Sequence, residues 1–369
     1  MKQKKWGRRL VLFFFPGVLI FLVSCTGGLP AASWFGVSAG DDVAYLAANE
    51  QLFALNLESG AELWAFPAAP NREVGPFFST PLVTADSVVV GGFGDGKLYA
   101  VARNGGSQDW SVETDAAIVD GPVTIDGEIV VGNNDGVVYR VDWETQSKEL
   151  LLQADSAIWA TPLVDRAAGR LYIASMDHHL YALDLTTGEQ VWVFEAGGAL
   201  VGTPAISDGK LYFGDLSSTF YVIDAGTAGE LWRVDTQGWV WGGPLVDGDT
   251  VYFGDLNGNL YALDARTGDQ RWLFEAEGGV RVTPVLSSDN GAAEGDNLLY
   301  FGTREGRFYA LKPEDGTQQW ALPLTGAIYS QPILHAGYLL VSPHNATAKL
   351  VALDPVSGAE RWSYPPQEE

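Results

Sequence analysis

The chain has 369 residues, 47% hydrophobic and 18% charged, which fits a large folded core and not a disordered chain. Lys and Arg number 22 against 46 Asp and Glu, giving a formal charge of −24 that repels phosphate backbones and anionic headgroups and argues against nucleic acid as a partner. A single cysteine, Cys25, excludes a disulfide within the chain.

Residues 1–24 differ from the rest. Lys2, Lys4, Lys5, Arg8 and Arg9 form a basic head, followed by an apolar run from Leu10 to Val23. That run is shorter than the roughly 20 residues a spanning helix needs and suits the core of a signal peptide. It ends at Leu22-Val23-Ser24-Cys25, which resembles a bacterial lipobox. The expectation is a lipoprotein signal peptide over 1–24, lipidation at Cys25 and a tether over 25–32. Removing the peptide takes away five basic residues and no acidic ones, moving the formal charge from −24 to −29. Acyl chains, and not a basic patch, would then hold the protein at a membrane. Thr26 is not the Asp that tends to retain lipoproteins at the inner membrane. The expected location is therefore the cell membrane or the periplasmic face of an outer membrane.

From residue 33 to residue 364 the chain repeats. Trp64, Trp110, Trp192, Trp232, Trp272, Trp320 and Trp362 recur every 40–48 residues once Leu150 fills the third place. Each lies eight residues after a polar or turn position: Asn56, Ala102, Asp142, Asp184, Asp224, Asp264, Lys312 and Asp354. A Gly commonly sits midway, as at Gly60, Gly106, Gly188, Gly268, Gly316 and Gly358. Pro122, Pro162, Pro204, Pro244, Pro284 and Pro332 follow twelve residues after the preceding Trp position, and Pro81 follows seventeen after Trp64. Within a unit the pattern is four short β runs. The sixth reads Pro244–Val246, Val251–Gly254, Leu260–Asp264 and Gln270–Phe274, separated by Asp-Gly, Asn-Gly and Thr-Gly turns that need positive φ. A strand-rich unit repeated eight times at this period predicts an all-β, eight-bladed propeller of four-stranded antiparallel blades. The Asp of each unit is expected to accept amides of the following turn, and the Trp to fill the gap between neighbouring sheets.

Three units deviate. The third has Leu150 in the Trp position and Gln146 in the Gly position. The seventh carries an acidic Gly/Ala/Asn hairpin tip, Ser287–Asn297. The first lacks the Pro, and Trp34–Val37 stands in for its first strand. Residues 365–369 read as a tail.

The segments Leu180–Trp192 and Leu260–Trp272, both of the form Leu-Tyr-Ala-Leu-Asp-x-x-Thr-Gly-x-x-x-Trp, resemble the quinoprotein repeat. The resemblance covers about 33–364. It is similar to the repeat of the pyrroloquinoline-quinone dehydrogenases and of the propeller lipoprotein of the outer-membrane β-barrel assembly machine. The resemblance implies an eight-bladed propeller, and it implies either a dehydrogenase or a scaffold. The dehydrogenases carry a catalytic Asp, a Ca²⁺ site and, in many members, adjacent cysteines and long inserted loops. This chain has neither adjacent cysteines nor such loops, so neither pyrroloquinoline quinone nor Ca²⁺ is expected as cofactor. His178 and His179 sit at a hairpin, and His335 and His344 have no third ligand near them in sequence, so no metal site is expected.

Function should lie where the units differ. Three residues before each Pro stand Phe78, Val119, Trp159, Val201, Trp241, Arg281 and Tyr329, with Ser33 as the counterpart in the first unit and Trp239 two residues before Trp241. Equivalent positions of a propeller form a ring about its axis. Phe78, Trp159, Trp239, Trp241, Arg281 and Tyr329 are therefore the candidate channel-mouth binding set, because aromatics and Arg dominate binding hot spots. The simpler alternative is that they plug the channel. Nine residues before the Pro, Glu113, Glu195, Asp235 and Glu275 form a second ring, read as a solvated edge. The leading expectation is a non-enzymatic, lipid-anchored envelope scaffold with a protein partner, a barrel-assembly subunit if the host has an outer membrane. A surface lipoprotein that binds a small ligand or glycan is the alternative, and a quinone-dependent dehydrogenase the weaker one.

Overall fold

The computed structural model describes residues 35–287 and 297–366. The predicted signal peptide, Cys25, the tether to residue 32, Ser33, Trp34, most of the seventh-unit loop and the last three residues lie outside the described residues. The described residues form one compact unit. Among the described residues there is no α-helix, and the strands form eight four-stranded antiparallel sheets and one two-stranded pair, Ala327–Ile328 with Pro343–His344.

Each four-stranded sheet is one sequence unit, built in up-and-down order. The blades span 36–66, 82–113, 123–153, 163–195, 205–235, 245–275, 285–323 and 333–364. Blade 6 has strands Leu245–Asp247, Thr250–Gly254, Asn259–Asp264 and Gln270–Glu275, within a residue or two of the predicted ones. First strands of neighbouring blades approach one another. The Pro-containing connections that lead into them therefore lie near the axis. Blade 7 closes its first hairpin with Val285 opposite Tyr300 and Leu286 opposite Leu299, and the tip of that hairpin is not described.

Three devices hold blade to blade, all repeated. The first is the Trp. Trp64, Trp232, Trp272, Trp320 and Trp362 lie so close over Gly106, Gly268, Gly316, Gly358 and Gly60 of the next blade that a Cβ there would meet the indole at 3.0 Å or less. Four of the seven donate Nε1–H to a carbonyl of the next blade, as Trp272 does to Pro313 at 2.9 Å. The second device is the turn carboxylate. Asp264 Oδ1 accepts the amides of Arg266 and Thr267 at 3.0 and 3.1 Å, and Asp142, Asp184, Asp224 and Asp354 do the same in their blades. The third device was not foreseen. Gly91, Gly132, Gly214, Gly254 and Gly302 end the second strands, and each faces a β-branched residue four before the next Pro: Ile118, Ile158, Val240, Val280 and Ile328. An added Cβ would lie 2.2–2.5 Å from that side chain. The residue after this buried one turns towards the axis at Trp159, Trp241, Arg281 and Tyr329, but Val119 is itself buried.

The third blade corrects one expectation. In seven blades the third and fourth strands carry a bulge immediately before the Asn or Asp position, as between Ala262 and Leu263. In blade 3 the shift lies between Val138 and Tyr139 instead. Leu150, spaced to replace Trp, is consequently 57% exposed, and its neighbour Leu151 packs against Gly188. A bulge changes which face a residue presents, so spacing alone misassigns the side chain. Trp110 has no Gly beneath it, because Gln146 (φ 58°) occupies that turn. A cavity of about 190 Å³ remains there, lined by Trp110, Trp143, Asp86 and Glu144 among others.

Candidate functional site

The connections preceding blades 5–8 each place three successive residues at the axis, and those preceding blades 2–4 place one or two. Where backbones come closest, only Gly fits. A Cβ on Gly202 would lie 2.7 Å from the Trp241 carbonyl oxygen, and one on Gly242 would lie 2.7 Å from that of Arg281. This inner ring encloses a cavity of about 330 Å³.

Of the six candidate residues, Trp159, Trp241, Arg281 and Tyr329 line this cavity together with Val201. All four are half-buried. The Trp159 and Trp241 rings are 6.2 Å apart and tilted by 40°. Trp159 Nε1 donates to Asn134 Oδ1 at 2.8 Å, which fixes the indole edge. The Arg281 guanidinium lies 3.9 Å from the Trp241 ring and 5.0 Å from that of Tyr329. Burial pushes its pKa down from 12.5 to about 10, with Arg304 adding to the fall and Tyr329 opposing it, so the side chain is still a cation at neutral pH.

The other two candidates are elsewhere. Phe78 is buried against Phe93, ring centroids 4.6 Å apart, and is not on the cavity wall. Trp239 is 51% exposed and also off the wall. The structural Trp residues are all buried or half-buried at blade interfaces.

Sequence comparison of the units missed the polar part of the wall. The residue directly before five of the seven Pro supplies Thr80, Thr161, Thr203, Thr283 and Gln331, and Asp120 and Ser330 stand two residues before their Pro. Asp120 accepts the Gly121 amide at 2.7 Å, the Thr161 amide at 3.2 Å and the Thr80 hydroxyl at 3.3 Å, joining blades 2, 3 and 4. Burial pushes its pKa up, against the pull of these three donors. Ser330 Oγ is buried with no hydrogen-bond partner. The signal available was the recurrence of hydroxyl residues at a fixed offset from Pro.

The remaining acidic and histidine positions are accounted for by the fold. Asp215 and Asp255 are fully buried. Asp255 accepts the amides of Gly238, Asn257 and Asn259 and the Tyr261 hydroxyl, all within 3.0 Å. Burial raises Tyr261 to about 12, which keeps that hydroxyl a donor. Glu113, Glu195, Asp235 and Glu275 are exposed at the ends of outer strands. His179 pairs with Asp177, and His335 reaches the Asp41 carbonyl at 2.8 Å across the junction of the last and first blades. His344 lies between Phe35 and Tyr329, and burial lowers its pKa. Among the described residues no three His, Cys, Asp or Glu side chains converge on one point. Ca²⁺ requires six to eight oxygens. The one carboxylate on the cavity wall, Asp120, is already engaged by three donors, so the wall does not fit a Ca²⁺–quinone centre.

Comparison with known proteins agrees with this architecture. The family model described as outer membrane protein assembly factor BamB matches over residues 24–145, 94–207 and 176–333. No curated protein matches the chain. Among solved structures, BamB from Moraxella catarrhalis superposes with a TM-score of 0.68 at 20% identity, over 86% of this chain and 92% of that one. The computationally designed Ika8 protein superposes with a TM-score of 0.71 at 15% identity, over 86% and 96%. At such identities the superpositions speak to fold alone, but the family match extends over most of the sequence. An eight-bladed ring of quinoprotein-like repeats, matched from residue 24 to residue 333, belongs to the outer membrane protein assembly factor BamB family.

Proposed function

We propose that this chain is a non-enzymatic scaffold of the cell envelope that takes part in assembling outer-membrane proteins. The observation that carries this reading is the family match across the first seven of the eight blades. It is supported by the wall chemistry: Arg281 lies over the Trp241 ring, and Asp120 accepts the Gly121 and Thr161 amides and the Thr80 hydroxyl. Cys25 is the lipid-bearing residue in this reading and tethers the propeller to a membrane, where its outer strands and rim loops meet a protein partner.

Deleting the gene and measuring folded β-barrel proteins in the outer membrane tests it. The expected result is a reduced amount, restored by the full chain and restored less well by Cys25→Ser. Unchanged barrel levels in the deletion strain would sink the reading. Retention of Cys25→Ser in the membrane fraction at the level of the unaltered protein would remove the lipid anchor from it.

A further inference from the structure

We propose that the axial cavity is a binding site for a neutral saccharide of one or two pyranose rings, a role that goes beyond the scaffold reading and does not depend on it. Volume is the first argument. About 330 Å³ lies within the range of small-ligand pockets and accommodates a sugar of that size.

Charge is the second. Among the described residues the wall carries one basic group, Arg281, and one carboxyl group, Asp120. The negative charge of the chain, −24, repels a polyanion, and among the described residues no cluster of acidic or histidine side chains is present to hold a metal cation. A quinone with several carboxylates is disfavoured on the same ground.

Third, the apolar and polar parts of the wall are separated as a sugar requires. Trp159 and Trp241 stand at one level, with tilted faces able to cover the C–H face of a pyranose. Thr161, Thr203, Thr283, Ser330 and Gln331 stand at the adjoining level. A hydroxyl both donates and accepts, which matches sugar hydroxyls one for one. The buried Ser330 Oγ has no partner within the protein, an arrangement that costs free energy unless something in the cavity meets it. The Arg281 guanidinium, 3.9 Å from the Trp241 ring and 5.0 Å from the Tyr329 ring, is held against the wall between two aromatic side chains. Fixed polar groups on rigid inner strands are the means by which a pocket orients a ligand.

The test is a titration of the full chain in detergent, by intrinsic tryptophan fluorescence and by calorimetry. The probes are maltose, cellobiose and N,N′-diacetylchitobiose, each up to about 10 mM. Saturable binding of at least one is expected, weakened about tenfold or more by Trp159→Ala and by Thr203→Val. Thr203→Val keeps the shape of the site and serves if Trp159→Ala fails to fold. No saturable signal with any of the three overturns the proposal. So does binding that both variants leave within about twofold, or a preference for pyrroloquinoline quinone with Ca²⁺ over all three sugars.

Discussion

Trp272 shows how one residue type serves two surfaces. Its indole covers Gly316 of the next blade, and its Nε1–H reaches the Pro313 carbonyl at 2.9 Å. Trp272→Ala should cost about 3–5 kcal/mol of unfolding free energy in urea titration. Leu150→Ala, at the equivalent spacing in blade 3, should cost less than about 0.5 kcal/mol, because that side chain is 57% exposed. A large loss at Leu150 would contradict the displaced bulge. The turn carboxylates carry a pH signature at the same scale. Asp264 and Asp354 are held down to about 2, first by hydrogen bonds from Arg271 and Arg361 and then by turn amides. A depressed carboxylate adds stability above its unfolded value near 4, and that contribution is lost as pH falls through about 2. The thermal midpoint should therefore drop between about pH 4 and pH 2. Asp264→Asn and Asp354→Asn should flatten that drop while lowering the midpoint at neutral pH.

At the scale of the element, much of the blade was legible before the structure. Turn glycines, Asp at the strand end and the Trp eight residues on are local signals, and local hydrogen bonds realise them. Two features were not legible. The blade 3 bulge depends on which residue is skipped in a pairing, which spacing cannot report. The Gly that ends the second strand meets its Ile or Val partner from the next connection, across a blade boundary, so neither residue is informative alone. Gly254→Ala should cost about 1–3 kcal/mol through overpacking on Val280, by chemical denaturation. Blade 4 has Ala174 in this position and an unbranched Cβ at Leu200 opposite it, which is why a methyl is tolerated there. Candidate site residues were legible only in part. The offset of three from Pro picked out Trp159, Trp241, Arg281 and Tyr329, whereas Phe78 turned into the core and the Thr ring at the next offsets passed unnoticed among turn-like residues.

For the whole molecule, the distinctive point is closure. No strand is exchanged between the first and last blades, since each four-stranded sheet draws all its strands from its own sequence unit. The ring is closed by the same contacts that join other blades. Trp362 lies over Gly60 and donates to the Leu57 carbonyl at 2.8 Å, Tyr364 donates to Glu62, and Lys349 stands 4.9 Å from the Phe53 ring. Trp362→Ala should therefore raise amide exchange over 36–66 and 333–364 more than elsewhere, while Trp272→Ala should raise it around blades 6 and 7. Equal, molecule-wide effects of the two would mean that closure has no weak point. A rigid, acidic ring with exposed outer strands suits contact with other proteins, and the most direct test of that reading is cross-linking of the tagged full chain in its native envelope, followed by mass spectrometry of what is captured. Enrichment of outer-membrane barrel-assembly proteins is the predicted result, and recovery of the chain with no such protein attached would contradict it.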